Sequence, residues 1–480
     1  MRTSYFTSTL SARKNMTMKT TRSPIKECDI RGEYPSEVNE VLFDRLARNF
    51  GRTVLTTRFS NLTPNIVLVG GDARISTPHL KEKVLSGLAA QGVQVTHLEG
   101  MVPTPMIYWA KQQMNAQGVA IITASHNQPD WNGLKVMNGN LPPSAEDIRQ
   151  LADEPPCTEA SAPGIIRIWK GVHNDYIEEK KRLFSSVNLS RMKIVVDPGN
   201  GCQTRVASNL LEGLHAHVIE IHEIPDGRFP HRHPDCSRKE HLTELSKRVQ
   251  EENADLGIAF DGDGDRLAII DNLGNFVTPE QVAMLFLKGS LKPTDGQSVI
   301  IDIKSTMHLD QVVRETGGRP VRCRSGHTYI KSAVIEQNAI LGCEVSGHHF
   351  LGELHGLDDP LHVAVILCRD LAGGAESLSE RIASLPSIHM TPDMRIEMEE
   401  EDIRQLLEEC RSFTDAEIET IDGVRLCLKD GWFLVRRSVT EQAITFRQEG
   451  ESTEALTRIG DLVARAFPVL AEKINSTIRS

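Results

Sequence analysis

Asp261, Asp263 and Asp265 alternate with Gly262 and Gly264, and Arg266 follows them. Carboxylates at i, i+2 and i+4 in a glycine-relaxed loop can converge on one hard cation, because glycine lets the backbone curl and oxygen ligands suit Mg²⁺. The apolar run Leu256-Gly257-Ile258-Ala259-Phe260 precedes the loop and reads as a buried strand. The spacing therefore predicts a divalent metal at the carboxyl end of a strand, a place where metals commonly serve phosphate chemistry. Two plainer readings stand beside this one. An EF-hand also alternates aspartates, but it needs Gly at the sixth loop position and Glu at the twelfth; Arg266 and Asn272 stand there, which excludes a calcium loop. The other is a solvated acidic turn, since Asp and Gly are ordinary turn residues.

Three further groups could do chemistry. Ser125 lies in a short strand-to-loop turn beside His126 and Asn127. Its hydroxyl could be a nucleophile or a phosphate carrier, although on residue types alone a helix-capping Ser is the commoner role. Neighbouring residues rarely aim at each other, so Ser125-His126 is not read as part of a Ser-His-Asp triad, and no GxSxG elbow is present. Glu344, Ser346 and His348 alternate along a segment that reads as extended, which would put them on one side; a carboxylate with a hydroxyl suits a sugar diol. Arg436-Arg437-Ser438-Val439-Thr440, with Arg447 beyond, offers guanidinium and hydroxyl donors for a phosphate dianion, against the alternative of a solvated strand. His231, His233, Cys236 and His241 look like zinc ligands but match no common zinc spacing, and are read as a loop between strand and helix.

The elements that must position these groups repeat. Residues 65–72, 192–199 and 298–304 are each an apolar strand ending in a polar loop, followed by a helical pattern such as Leu80, Val84, Leu85, Leu88 and Ala89. Second strands follow at residues 93–95, 217–219 and 320–322, and third strands at 119–122, 256–260 and 340–343. Each third strand runs straight into one of the polar loops above. Alternating strands and helices imply βαβ units with parallel pairing, and ligands in such sheets gather beyond the carboxyl ends of strands. Three equivalent loops could therefore face one cleft. From about Ser387 the repeat breaks into a small α+β segment, closed by an amphipathic helix through Leu456, Ile459, Leu462, Val463, Ala466 and Phe467.

With 480 residues the chain is too long for one core. A net charge of -11 argues against a nucleic-acid surface, and no apolar run is long enough to cross a bilayer. The nine cysteines form no CxxC pair, which fits free thiols in a reducing, cytoplasmic setting. Residues 1–26 are rich in Ser, Thr, Arg and Lys and hold no acid; the composition is like an organellar transit segment, but a disordered tail or an upstream start before Met16 or Met18 is the favoured reading.

Asp29-Ile30-Arg31-Gly32, Thr123 to Asn127, Asn132-Gly133-Leu134-Lys135, Asp261 to Arg266, Glu344 to His348, and Arg436 with Ser438 and Thr440 occur in that order. Together they resemble the α-D-phosphohexomutase superfamily, most of all its bacterial phosphomannomutase/phosphoglucomutase group, from about Cys28 to Ala466. The resemblance implies an α/β fold in four domains around a central cleft: three similar mixed α/β domains (27–172, 173–275 and 276–386) and a smaller α+β domain (387–480), after a tail (1–26). It implies reversible phosphoryl transfer between the 1- and 6-positions of a hexose phosphate, through a phosphoserine at Ser125 and a hexose 1,6-bisphosphate that is both intermediate and activator. Asp261, Asp263, Asp265 and the Ser125 phosphoserine would hold Mg²⁺. Arg31, Lys135 and Arg266 would surround the phosphoserine, with His327 or Lys135 as general acid/base. Lys304, Glu344, Ser346, His348, Arg436, Ser438, Thr440 and Arg447 would bind substrate. The expected partner is a hexose phosphate, with no nucleic acid or membrane, in a monomer or homodimer.

Several positions depart from the pattern of that family. Cys343 stands where Gly is usual, Val345 where Met is typical, and Val439 and Gln442 where Asn and Pro are usual; Gly71 replaces a common Arg, though Asp72 and Arg74 remain. Val345 fits mannose or glucose slightly better than glucosamine. Phosphoglucosamine mutase, a non-catalytic sugar-phosphate-binding relative, and a phosphatase are the alternatives.

Overall fold

The computed structural model describes residues 23–59, 61–155, 159–438 and 443–479. Apolar runs of strand length alternate with amphipathic helical runs to build one unit three times. In the first unit, strand Thr63–Gly71 leads through helix Thr77–Ala90, strand Gln94–Leu98 and helix Thr104–Met114 to strands Ala116–Ile122 and Trp131–Asn138. The second runs from Lys193–Asp197 through helix Val206–Gly213, strand His217–Glu220 and helix Thr243–Glu252 to strands Leu256–Phe260 and Leu267–Asp271. The third runs from Ser298–Asp302 through helix Met307–Glu315, strand Arg319–Cys323 and helix His327–Glu336 to strands Leu341–Cys343 and His349–Leu351.

The pairing is the same each time. The first strand of the unit lies between the second and third and is parallel to both. A fourth strand folds back antiparallel on the third. Leu256–Phe260 and Ser298–Asp302 are buried at every residue, as parallel strands covered on both faces must be. Ile30–Glu33 extends the first sheet antiparallel to Trp131–Asn138, and Ile166–Trp169 extends it at the other edge. The parallel units agree with the sequence pattern; the return strands are an addition to it. Trp131–Asn138 carries Asn132 and Lys135 among its buried positions, and His349–Leu351 has only three residues, so neither gives a clean apolar run. All three polar loops are thereby hairpins between the third and fourth strands of their units.

One contiguous apolar core joins the units, running from Leu68 and Val119 through Ile258 and Phe260 to Val299, Ile301 and Leu361. Beyond residue 387 the plan changes. Ala443–Gly450 pairs antiparallel with His389–Met390 and Met394–Glu397 on one side and Gly431–Arg437 on the other, and the sheet continues through Val424–Leu428 to Glu417–Glu419. Helix Thr453–Ala466 buries Ala455, Ile459 and Val463 toward a separate core with Ile396, Phe433, Val435 and Phe446. Among the described residues no helix is long and apolar enough to cross a membrane.

The fourth sheet meets the third through an apolar patch of Ile303, Trp432 and Leu434 and through several polar contacts, among them a fully buried carboxylate. Glu449, 0% exposed, accepts hydrogen bonds from the Thr306 hydroxyl, the Trp432 indole N–H and the Met307 backbone N–H, the last at 2.8 Å. It sits at the start of helix Met307–Glu315, where the helix dipole favours negative charge. Glu449→Ala orphans three buried donors, so we expect a loss of about 2–4 kcal/mol, with Glu449→Gln losing less. In urea titrations followed by tryptophan fluorescence the Ala variant should show a lower midpoint; an unchanged midpoint would remove Glu449 from this role.

Candidate active site at three hairpin loops

Strand Ala116–Ile122 is buried throughout and delivers the first loop. Ser125 has φ +50°, a left-handed backbone, and is 1% exposed. Its N–H donates to Thr123 Oγ1 (2.7 Å), and its hydroxyl donates to Asp261 Oδ2 of the second loop (2.9 Å). The two loops meet so closely that a Cβ at position 262 would lie 2.6 Å from the Ser125 carbonyl oxygen, which requires glycine there. No helix follows Ser125, so the capping role expected from residue type alone does not hold; the next element is a strand. Nor does adjacency keep His126 away, because the left-handed turn leaves its Nδ1 3.1 Å from Ser125 Oγ.

The aspartate loop curls as its glycines allow, with Gly264 at φ +73°. Asp261 Oδ1 accepts the backbone N–H groups of Asp265 (3.0 Å) and Arg266 (3.2 Å), which folds the loop around that carboxylate. Strand Trp131–Asn138 brings in Lys135, whose Nζ donates to Asp263 Oδ2 (2.8 Å) and Asp265 Oδ2 (2.6 Å). Thr104, opening helix Thr104–Met114, gives its hydroxyl to Asp263 Oδ2 (2.8 Å) and its N–H to the Asp263 carbonyl (2.9 Å). One ligand atom from each aspartate lies within 4.8 Å of the others, and all three residues are buried.

Burial, then repulsion from Asp265 and Asp263, pushes the Asp261 carboxyl well above the usual carboxylate range. Burial would depress the Lys135 ammonium, but Asp263 and Asp265 outweigh it and hold the pKa well above the ordinary value. The Oδ1 atoms of Asp263 and Asp265 are buried without a hydrogen-bond partner among the described residues. Three convergent hard-oxygen ligands, two of them with unsatisfied lone pairs, fit a divalent cation. Lys135 uses the other oxygen of each carboxylate, so it does not compete for those lone pairs.

Positive charge rings Ser125. Arg31, from the edge strand Ile30–Glu33, pairs with Asp29 (2.6 Å) and donates to the Ala124 carbonyl (3.4 Å) and Asn127 Oδ1 (3.1 Å). Arg266 lies with Nε 3.9 Å from Asp261 Oδ2 and 3.2 Å from His348 Nε2. His348 Nδ1 is 3.0 Å from Asp358 Oδ2, and Lys331 Nζ is 2.9 Å from Asp358 Oδ1. His327 opens helix His327–Glu336 and stacks on His348 with ring centroids 5.6 Å apart. Burial, then Lys135 and His348, holds the His327 imidazole well below its ordinary pKa, so it is neutral at pH 7.

The third loop is not the extended segment its alternation suggested. Glu344 N–H donates to the His348 carbonyl (3.0 Å), Gly347 N–H donates to the Glu344 carbonyl (3.1 Å), and Gly347 has φ +102°. Glu344, Ser346 and His348 are thus grouped by a tight turn rather than by strand period. Glu344 Oε2 and Ser346 Oγ are buried with no partner among the described residues.

Of the remaining residues expected to bind substrate, Lys304, Arg436, Ser438 and Arg447 form a separate group where the third and fourth sheets meet. Lys304 Nζ pairs with Asp393 Oδ2 (2.9 Å), and Arg447 donates to the Lys304 carbonyl (3.0 Å) with its Nε 3.4 Å from Asp393 Oδ1. Arg436 pairs with Asp422 (2.9 Å), whose Oδ2 also accepts the Ser325 N–H (3.1 Å), two residues before His327. Arg436 Nε is buried without a partner among the described residues, and the Ser438 N–H closes its hairpin on the Ala443 carbonyl (2.8 Å). Thr440, Val439 and Gln442 lie outside the described residues. The proposed zinc look-alikes form no metal-binding group among the described residues: His233 stacks on His241 at 4.8 Å and His231 on His222 at 4.6 Å, in a loop between strand and helix.

Sequence reasoning missed Thr104, Asp358, Lys331, Asp393 and Asp422. Thr104-Pro105 carries a helix-start signal and no chemical one. Asp393 pairs with Lys304 far along the chain, while Asp358 and Asp422 meet nearby partners at spacings that match no helical or strand period, so no local pattern marks them.

Family descriptions match the chain in three consecutive stretches: the α/β/α domains I, II and III of phosphoglucomutase/phosphomannomutase, at residues 23–155, 172–274 and 278–388. A phosphomannomutase/phosphoglucomutase of Pseudomonas aeruginosa is 34% identical over 443 residues, covering 90% of this chain and 92% of the relative. A phosphoglucomutase of Neisseria gonorrhoeae is 34% identical, covering 92% and 95%. A crystal structure of a phosphoglucomutase/phosphomannomutase family protein from Burkholderia thailandensis superposes with TM-score 0.83 at 31% identity, covering 93% of this chain and 97% of that one. With three hairpin loops converging as described and its relatives matched nearly end to end, the chain belongs to the phosphoglucomutase/phosphomannomutase family, within the α-D-phosphohexomutase superfamily.

Proposed function

We infer that this chain is a phosphohexomutase that moves a phosphoryl group between the 1- and 6-positions of a hexose phosphate, with Ser125 as the carrier. The observation that supports this best is the Ser125 hydroxyl 2.9 Å from Asp261, beside three buried carboxylates and ringed by Arg31, Lys135 and Arg266. Those cations suit a phosphoserine dianion. Asp261, Asp263 and Asp265 would hold Mg²⁺, which when bound offsets charge gathering on the transferred phosphoryl oxygens.

The free hydroxyl oxygen of a hexose monophosphate attacks the phosphoserine phosphorus, the bond from phosphorus to Ser125 Oγ breaks, and a hexose 1,6-bisphosphate forms. The hydroxyl proton would pass to His327 or Lys135, the two candidate general bases; burial keeps His327 neutral, and Asp263 and Asp265 keep Lys135 charged as long as no cation takes those carboxylates. The bisphosphate turns over in the cleft and returns its other phosphoryl group to Ser125, while the proton moves back. Glu344 Oε2 and Ser346 Oγ suit ring hydroxyls in either orientation, with His348 beside them. Lys304, Arg436, Ser438, Thr440 and Arg447 suit the phosphate that is not reacting. Val345 favours mannose and glucose phosphates over glucosamine phosphate.

A coupled assay with glucose 1-phosphate and trace glucose 1,6-bisphosphate tests the reading. Ser125→Ala should lower kcat by more than about a thousandfold, the scale of losing a nucleophile, with an unchanged circular dichroism spectrum. Turnover near wild type in that variant would end the carrier role. Arg436→Ala should raise KM for both hexose phosphates about tenfold, or ~1.4 kcal/mol, with kcat little changed. An unmoved KM would count against phosphate anchoring there. EDTA should abolish turnover and Mg²⁺ restore it, and Mg²⁺ should raise the melting temperature of the wild type but not of Asp263→Asn. Equal shifts in the two proteins would place the metal elsewhere.

A further inference from the structure

Behind the Ser125 loop lies a buried ion pair whose side chains bond the backbone of that loop and its Thr123 hydroxyl, not the Ser125 hydroxyl or the aspartate loop. Arg74 and Asp72 both have side chains 0% exposed. The five N–H donors of Arg74 are all matched. Nε donates to Asp72 Oδ2 (2.9 Å), one terminal nitrogen to the carbonyls of Ser125 (2.9 Å) and Asn127 (2.6 Å), and the other to the carbonyls of Trp131 (2.9 Å) and Gln128. One guanidinium therefore collects four carbonyls of the hairpin that carries the hydroxyl. Asp72 also accepts from the Thr123 hydroxyl (2.7 Å), and Thr123 Oγ1 in turn accepts the Ser125 N–H (2.7 Å).

These bonds fix the peptide groups on both sides of Ser125. Its N–H is tied to Asp72 through Thr123, and its carbonyl is tied to Arg74. A non-glycine residue at φ +50° costs free energy and persists where its surroundings over-determine it. Setting both flanking peptides sets φ and ψ, and so sets the direction of the Cα–Cβ bond that brings Oγ to Asp261. We propose that Arg74, with Asp72 as its counter-ion, is the positioning residue for phosphoryl transfer: it holds the Ser125 backbone left-handed so that the hydroxyl faces the carboxylate cradle. The proposal rests on the carrier role given to Ser125 above. Lysine cannot substitute, because its three donors radiate from one atom and cannot span four carbonyls and a carboxylate.

Arg74→Lys keeps the charge and removes the fork, and is the first test. We expect its kcat to fall about a hundredfold, the scale of an ångström's misplacement of reacting atoms. The rate at which glucose 1,6-bisphosphate phosphorylates Ser125, followed by intact mass, should fall by the same factor. Binding of glucose 6-phosphate by calorimetry should stay as in the wild type, because the substrate groups are untouched. Thr123→Val cuts the other tether and should give the same split between kcat and binding, which keeps the idea testable if the lysine variant fails to fold. Partial recovery of Arg74→Ala by added guanidinium would support it further. Wild-type phosphorylation rates in Arg74→Lys, or a fall in sugar-phosphate binding matching the fall in kcat, would overturn it. Wild-type enzyme that turns over without ever carrying phosphate on Ser125 would instead sink the carrier reading itself.

Discussion

Three carboxylates buried within 4.8 Å of one another repel strongly in a medium that screens poorly, and the site is arranged around that repulsion. Asp261 bears most of it, since burial and its two neighbours push its carboxyl far from the usual range. The nearest cations come from different units: Lys135 from the first and Arg266 from the second, while Lys331 of the third acts one carboxylate further away, on Asp358. Docking the loops against one another buries the cluster and at the same time supplies its counter-charges, and the same docking brings Ser125 Oγ to Asp261. Stability and chemistry thus ask for the same contact.

The repeated unit explains how one scaffold supplies three kinds of chemistry. In each sheet the hairpin between third and fourth strands leaves the apolar core at the same place, so its residues can be polar where those of the strands below cannot, although they remain buried against one another. One hairpin carries a hydroxyl, another three carboxylates, and the last a carboxylate with a hydroxyl and an imidazole. Behind them the apolar core is continuous from the first unit to the third, which keeps the hairpins in fixed relation. Small residues do the fine fitting, as at Gly262, where any side chain would collide with the Ser125 carbonyl.

Much of this was legible in the sequence because it is local. Runs such as Leu256–Phe260, buried at every position, announce strands, and the spacing of Asp261, Asp263 and Asp265 marks a set of carboxylates that could converge, as the structure shows they do. The order of the loops along the chain carried the resemblance to phosphohexomutases. What escaped was set by distant parts of the chain or by turn geometry. Glu344, Ser346 and His348 alternate as a strand would, yet Gly347 at φ +102° turns them into a hairpin. Ser125 has the residue type of a helix cap, but the chain returns as a strand. Asp393, Asp422 and Asp358 gain meaning only from Lys304, Arg436 and His348, and no local pattern links those pairs.

Those pairs also govern how the fourth sheet takes part. Lys304 and Arg447 share Asp393, and Arg436 shares Asp422 with the Ser325 N–H. Each of these cations is thus already paired with a carboxylate, although Arg436 Nε keeps no partner among the described residues. A buried cation left unpaired would cost several kcal/mol, so the acids keep the cleft stable between substrates. They also set the net gain from binding, since a phosphate dianion gains only the difference between its own pairing and the carboxylate it displaces or joins. That difference depends on where the fourth sheet sits. Its core is separate, and it meets the third sheet through a small apolar patch, the Glu449 carboxylate and the polar contacts of Asp393 with Lys304, Arg447 with the Lys304 carbonyl and Asp422 with the Ser325 N–H. Small shifts at that seam would move Asp393, Asp422, Arg436 and Arg447 together while leaving Ser125 and the aspartate loop, rooted in the continuous core, in place. Grip on an outer phosphate could therefore change while the Ser125–Asp261 geometry stays fixed, as the proposed reorientation of a bisphosphate in the cleft would require.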